Sequence, residues 1–278
     1  MDLSTPQLSR RAVNRAGAYL IASTSTGSEF EVSLQIVQEW RSSHNNPLQI
    51  FREILTYRAE TIQLTAITAA RLKRFPSILN KLVRIPTLGL SEMQDIGGCR
   101  AILRDLTSVY RLRDIYLETD VSNLIRTDNY IASPKETGYR SLHLIYKFFT
   151  DSEELRSLNG RKIEIQIRTQ IQHAWATSVE TASTFLMEEF KSDEGDTRWL
   201  RFFALSSSVF AIREGCPIVP GTPENQQDLL SELRSLWQGL NVEGFLRGCG
   251  VVVDSLDEHP DDHTFLIRFN VREETATI

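Results

Sequence analysis

The sequence is short of cysteine, of long apolar runs and of charge of one sign, and each shortage removes a class of protein. Three cysteines, Cys99, Cys216 and Cys249, lie far apart in 278 residues, without the paired spacing of a zinc site or a disulfide framework. A reduced, cytoplasmic compartment fits that pattern. No apolar run reaches the roughly 18 residues of a membrane span, and the N-terminus lacks the charged start, apolar centre and cleavage site of an export signal. The net charge of −5 argues against coating nucleic acid or anionic membrane wholesale, but an average can hide a local basic cleft. With 41% hydrophobic residues, the chain can fill one core of ordinary size and a second, smaller unit.

One absence is local. From Thr61 to Ser91 there is no acidic residue, yet this window holds Arg71, Lys73, Arg74, Lys81 and Arg84. Ordinary solvated helices mix both signs, so the run suits a polyphosphate. Lys73, Ser77 and Lys81 are spaced by one helical turn, and Pro76 marks a helix start with Ser77 in its first turn. Backbone N–H groups at such a start add anion-binding capacity.

The stretch Gly138 to Thr169 organises the rest. Along Lys162 to Thr169 the side chains alternate, so Ile163, Ile165 and Ile167 point into a core while Glu164, Gln166 and Arg168 line the other face. Upstream, Asp95 stands before Gly97 and Gly98, which allow a close backbone approach or a bulge, and Arg100 projects from the strand that follows.

In chain order, helices are expected from Thr5-Pro6 through Ile21 and over 30–40, as a lid or a brace. A third begins after Pro47 and continues, with one interruption, to about Ala70. A helix over 108–119 and a strand near 129–131 follow, then a loop at 134–138 and a strand over 142–149. A helix from Gln170 to about Glu189 places His173, Thr177 and Glu180 on one side and Trp175, Val179, Ala182 and Leu186 on a packing side. Beyond Lys191 the pattern predicts a linker at 215–223, an amphipathic helix over 224–240, and strands at 250–254 and 264–271. Oligomerisation, contact with a regulatory partner, ligand sensing and restraint of the active site are all open for this appendage.

Asp95-Ile-Gly-Gly-Cys-Arg100, Pro134-Lys135 with Gly138-Tyr-Arg-Ser-Leu-His143, and Glu164-Ile-Gln-Ile-Arg168-Thr followed by His173 and Glu180 together resemble the synthetase domain of the RelA/SpoT family, and Arg71 to Lys81 is similar to its basic phosphate-binding helix. Arg140 in the tyrosine loop looks more like the small alarmone synthetases. The resemblance covers roughly residues 48–190, leaving 1–47 as a helical N-terminal region and 191–278 as an accessory α+β region. It implies an α+β fold with a mixed, mainly antiparallel sheet of about five strands flanked by helices.

The family transfers the terminal pyrophosphate of ATP to the 3′ hydroxyl of GDP or GTP, releasing AMP and making (p)ppGpp. On that resemblance Asp95 and Glu164 hold Mg²⁺ and serve catalysis, and Arg71, Lys73, Arg74, Ser77, Lys81 and Arg100 bind the donor ATP. Lys135, Tyr139, Arg140 and His143 are expected at the acceptor, and Gln166, Arg168, His173 and Glu180 as the supporting wall. No His-Asp dipeptide occurs, so the hydrolase half of the bifunctional relatives is not expected. Two alternatives stand beside the leading reading: a toxic small synthetase modifying tRNA 3′ ends or adenine nucleotides, and a nucleotide-binding regulator without catalysis.

Overall fold

The computed structural model describes residues 8–22, 27–119, 123–186, 190 and 195–257. Two compact units divide the chain: Met1–Pro134 with Arg140–Ala174, and Lys135–Tyr139 with Trp175–Ile278.

The first unit is built on five strands: β1 (Ile67–Leu72), β2 (Gly97–Leu103), β3 (Leu124–Asn129), β4 (Leu142–Lys147) and β5 (Lys162–Thr169), in the order β1-β2-β5-β4-β3. β2 and β5 run parallel and every other pair is antiparallel, as the fold expectation has it. Period-two alternation divides each strand between two faces. Behind the sheet, Cys99, Ala101, Leu103, Leu144, Tyr146, Ile163, Ile165 and Ile167 are buried. They pack with Leu48, Phe51 and Leu55 of α3 (Asn45–Ile62) and with Val109, Leu112 and Tyr116 of α5 (Leu106–Thr119). Phe51 and Tyr116 meet the Tyr146 ring at centroid distances of 5.6 and 5.8 Å.

Two further helices, α1 (Arg10–Ala22) and α2 (Ser28–Ser42), bury Val13, Ala16, Leu20, Val37 and Trp40 against Ile78 and Leu82 of α4 (Phe75–Arg84) and against Leu90, Met93 and Ile96. They brace the basic helix from behind. Asn14 accepts a hydrogen bond from the Ser91 N–H at 2.7 Å, fixing α1 to the turn that precedes Asp95.

In the second unit, α6 (Gln170–Leu186, which starts in the first), α7 (Thr197–Glu214), α8 (Gln226–Gly239) and α9 (Val242–Asp257) surround an aromatic core of Trp175, Phe190, Trp199, Phe202 and Phe203. Val179, Ala182 and Leu186 join it, as the helical spacing predicts. Asp196 and Asn225 cap α7 and α8 through their side chains. None of the helices among the described residues is long and apolar enough to cross a membrane.

The structure corrects several sequence expectations. The third helix stops at Ile62, and residues 67–72 form β1. Antiparallel pairing with β2 decides that conformation, and a hydrogen bond from Ala66 N–H to Gln63 O makes the turn before it. The strand placed at 129–131 is centred earlier, on 124–129. The strand expected at 250–254 lies within helix α9. β-Branched Val251 to Val253 favour strand locally, but Val242, Phe245 and Cys249 recur at helical spacing, and Val242 and Phe245 pack on the aromatic core. Helix α7 was not anticipated at all. The expected strand at 264–271 lies outside the described residues.

Candidate active site

The front of the sheet carries the polar face. Register aligns Arg71, Gly98, Glu164 and Ile145 in one row across β1, β2, β5 and β4. The adjacent row holds Ala69, Arg100, Gln166, His143 and Asp128, the last from β3. Arg71 and Glu164 thus flank Gly98, the one residue of its row without a side chain. A Cβ there would find its nearest neighbour, the Glu164 carbonyl, only at 4.0 Å, so the space above β2 is open.

Asp95 sits just before β2 and is gripped from both sides. Lys81 Nζ donates to Oδ1 at 2.7 Å and Lys73 Nζ to Oδ2 at 3.0 Å. Burial pushes the Asp95 carboxyl up, but the two ammonium groups together hold it below its usual value of 3.8. Lys81 comes from α4, which Pro76 starts. Lys73 is pinned by its own backbone: its N–H donates to Ile96 O at 2.8 Å, and its carbonyl accepts from Arg41 Nε at 2.7 Å. Ser77 lies in the first turn of α4, and Arg74 is its exposed N-cap residue, with extended backbone.

Glu164 is the second anchor. His143 Nδ1 stands 2.9 Å from Oε1, and Gln166 Nε2 donates to Oε2 at 2.6 Å. Arg168 continues the chain, donating to Gln166 Oε1 at 2.6 Å and to Ser141 Oγ at 3.3 Å. Burial raises the Glu164 pKa and the nearby Asp95 charge adds to that rise, but the contacts with His143 and Gln166 outweigh both and leave it below 4.5. Both carboxylates are therefore ionised at neutral pH, and each lies within the other's field. That is an oxygen-donor pair suited to a hard dication, which takes its remaining ligands from phosphates and water. Among the described residues no group of three or more His, Cys, Asp or Glu side chains gathers as a protein-only metal cage.

Tyr130 emerges only from the fold. Tyr130 stacks edge-on against His143 at 5.2 Å, and Glu164 contributes to the rise in its phenol pKa, after burial and the nearby Asp128. Arg140, expected near acceptor phosphates, is buried and donates to Ile131 O at 3.2 Å, which ties it to the loop backbone. His143, expected at the acceptor, meets Glu164. His173 lies in the first turn of α6 and is half-buried.

Lys135, Tyr139 and Glu180 belong to the second unit. There the loop closes on itself: Lys135 N–H donates to Tyr139 O, Gly138 N–H to Lys135 O, and Lys135 Nζ stands 5.5 Å over the Tyr139 ring. Gly138 adopts φ +91°, and a Cβ there would fall 2.9 Å from both Ser207 and Trp175. Ser207 Oγ also donates to the Gly138 carbonyl at 2.6 Å. Glycine is required there on both counts. Tyr139 packs on the aromatic core, and Glu180 lies half-buried on α6.

With this geometry in hand, comparison with known proteins is specific. Residues 70–186 match the profile described as the region found in RelA / SpoT proteins. GTP pyrophosphokinase YwaC of Bacillus subtilis is 35% identical over 115 residues, covering 40% of this chain and 54% of that protein. YjbM, also a GTP pyrophosphokinase of B. subtilis, is 31% identical over 135 residues, covering 47% of this chain and 61% of its own. The chain thus spans about half to three fifths of the length of these curated relatives. Among solved structures, small alarmone synthetase 2 of B. subtilis aligns with TM-score 0.53 and 21% identity, covering 64% of this chain and 94% of that one. Small alarmone synthetase 1 bound to its product pppGpp aligns with TM-score 0.52, at the same identity and coverage. Residues 70–186, which hold the sheet and the matched motifs, are thus similar to the region found in RelA / SpoT proteins.

Proposed function

We propose that this protein is a cytoplasmic (p)ppGpp synthetase, moving the β,γ-pyrophosphate of ATP to the 3′ hydroxyl of GDP or GTP and releasing AMP. The observation that carries the reading is the pair of ionised carboxylates: Asp95, just before β2 and held by Lys73 and Lys81, and Glu164, on the parallel neighbour β5 beside Gly98 and held by His143 and Gln166. The names of the relatives support it, since both are GTP pyrophosphokinases.

Pyrophosphoryl transfer asks the protein for positioning and for positive charge near the phosphates. Lys73 and Lys81 exchange Asp95 for phosphate oxygens when the donor arrives, while Arg71 and Arg100 flank its base through planar guanidinium groups. Asp95 and Glu164 would hold Mg²⁺, which when bound supplies neutralisation of the charge that builds on the transferred group. Glu164 accepts the proton of the attacking hydroxyl; His143 and Gln166 fix its two oxygens so that one faces the acceptor. Tyr139 offers the acceptor base a ring to stack on, and Lys135 gives its phosphates a cation.

Incubation with β,γ-labelled ATP, Mg²⁺ and GDP, GTP, ADP, ATP or deacylated tRNA in parallel tests the reading. Label in a guanine nucleotide, abolished in Glu164→Gln, is expected. Label confined to tRNA or an adenine nucleotide would refute the choice of acceptor.

A further inference from the structure

A second basic cluster lies at the start of β5, on residues that none of the nucleotide-site assignments uses. Lys147 and Lys162 are direct cross-strand partners, projecting from the same face as Glu164, and like charges so opposed destabilise a sheet. Arg10 of α1 joins them. Its guanidinium and the Lys147 stem approach one point above Gly160, at 3.5 and 3.7 Å from where a Cβ would stand. Immediately before Lys162, the buried Arg161 lies with its guanidinium 4.0 Å over the Trp40 ring and donates Nε to Ser43 Oγ at 2.6 Å.

No ion pair joins any of these four cations to a carboxylate among the described residues. Lys162 Nζ donates to the backbone carbonyl of Glu92, at 3.0 Å. The Glu92 carboxylate lies near enough to favour the charged lysine, but its Oε2 accepts from Gly89 N–H. The strain shows in the charge equilibria. Burial first, then Arg10, lowers the Arg161 pKa to about 10; burial, Arg10 and Lys147 lower that of Lys162. Positive charge so crowded, in a chain whose net charge is negative, is stabilised by a bound anion.

We infer that Arg10, Lys147 and Lys162, backed by Arg161, form a second binding site for a polyphosphate anion, made of other residues than the Lys73–Asp95–Lys81 group. Three flexible cations around a small residue match a di- or triphosphate, which offers several charged oxygens within a few ångströms. The shared chemistry is a pyrophosphate-like group, whether free or carried by a nucleotide.

Inorganic pyrophosphate, titrated calorimetrically into the full chain without Mg²⁺, tests the inference in three proteins: wild type, Lys73→Gln/Lys81→Gln, and Lys147→Gln/Lys162→Gln. Binding is expected to survive the first double substitution and to weaken at least about ten-fold in the second, because charge-assisted contacts are lost. Thermal unfolding supplies an independent readout. Without anion, Lys147→Gln/Lys162→Gln should melt no lower than wild type, since it relieves repulsion, and pyrophosphate should raise the wild-type midpoint more than the variant's. Repeating the titration with GTP and ATP separates sources: tighter binding than pyrophosphate identifies a nucleotide, and equal binding a free polyphosphate. Unchanged affinity in Lys147→Gln/Lys162→Gln would overturn the site. So would binding of a single-stranded oligonucleotide by wild type with no response to pyrophosphate.

Discussion

His44 makes the docking of the N-terminal helices dependent on pH. It sits between α2 and α3, buried, its Nδ1 2.8 Å from Trp40 O and its ring edge-on to Trp40 at 5.4 Å. Burial drives its pKa from 6.5 down to about 4; the Trp40 carbonyl opposes that fall, and the Arg161 charge assists it. A base whose folded pKa is depressed binds fewer protons folded than unfolded, so stability is full above pH 6.5 and declines as pH falls toward 4. The full span corresponds to about 3 kcal/mol, of which about 2 kcal/mol is already lost at pH 5. Substituting His44→Asn keeps a donor for the Trp40 carbonyl and removes the titration. Urea unfolding followed by circular dichroism at pH 7 and pH 5 should show wild type losing about 2 kcal/mol more than the variant between the two conditions. Equal losses in both proteins would refute the assignment of a neutral, buried His44.

Other expectations concern the site. Lys81→Ala should slow transfer by about a hundred-fold or more, as loss of a preorganised cation near the reacting phosphates does, and initial-rate assays measure it. Because Asp95 and Glu164 are both held below their usual values in the free protein, the acid limb that they contribute to kcat/KM should lie below pH 3.8 and 4.5 respectively, and a limb centred above pH 5 would belong to another group. Gly98→Ala should fold normally, given 4.0 Å of clearance, yet lower the transfer rate by narrowing the gap between Arg71 and Glu164. Gly138→Ala should destabilise the second unit by about 1 to 3 kcal/mol, through positive φ and the contacts with Ser207 and Trp175. Calorimetric melting would register that loss.

Much of the first unit can be read from the chain because its signals are local. Alternation over 162–169 is carried by three isoleucines that are fully buried, and Pro76 with one-signed charge marks α4. β1 escapes such reading: Ile-Thr-Ala-Ala-Arg-Leu has no decisive period, and its conformation follows from hydrogen bonding to β2. α9 escapes for the opposite reason, since its valines favour strand and tertiary packing overrides them. Within the site, residue types are legible but partners are not. His143 meets Glu164 through the register of β4 on β5, Arg41 reaches Lys73 from another helix, and Ser207 supports Gly138 from far along the sequence. Distance in sequence hides each of these contacts.

The central claim is a transfer of pyrophosphate that needs Glu164, and the products are its most direct test. Phosphorus NMR of wild type incubated with ATP, GDP and Mg²⁺ should show AMP and a 3′-pyrophosphorylated guanine nucleotide rising in equal amounts, with neither formed by Glu164→Gln. ADP as the adenine product, or equal turnover by Glu164→Gln, would contradict the account.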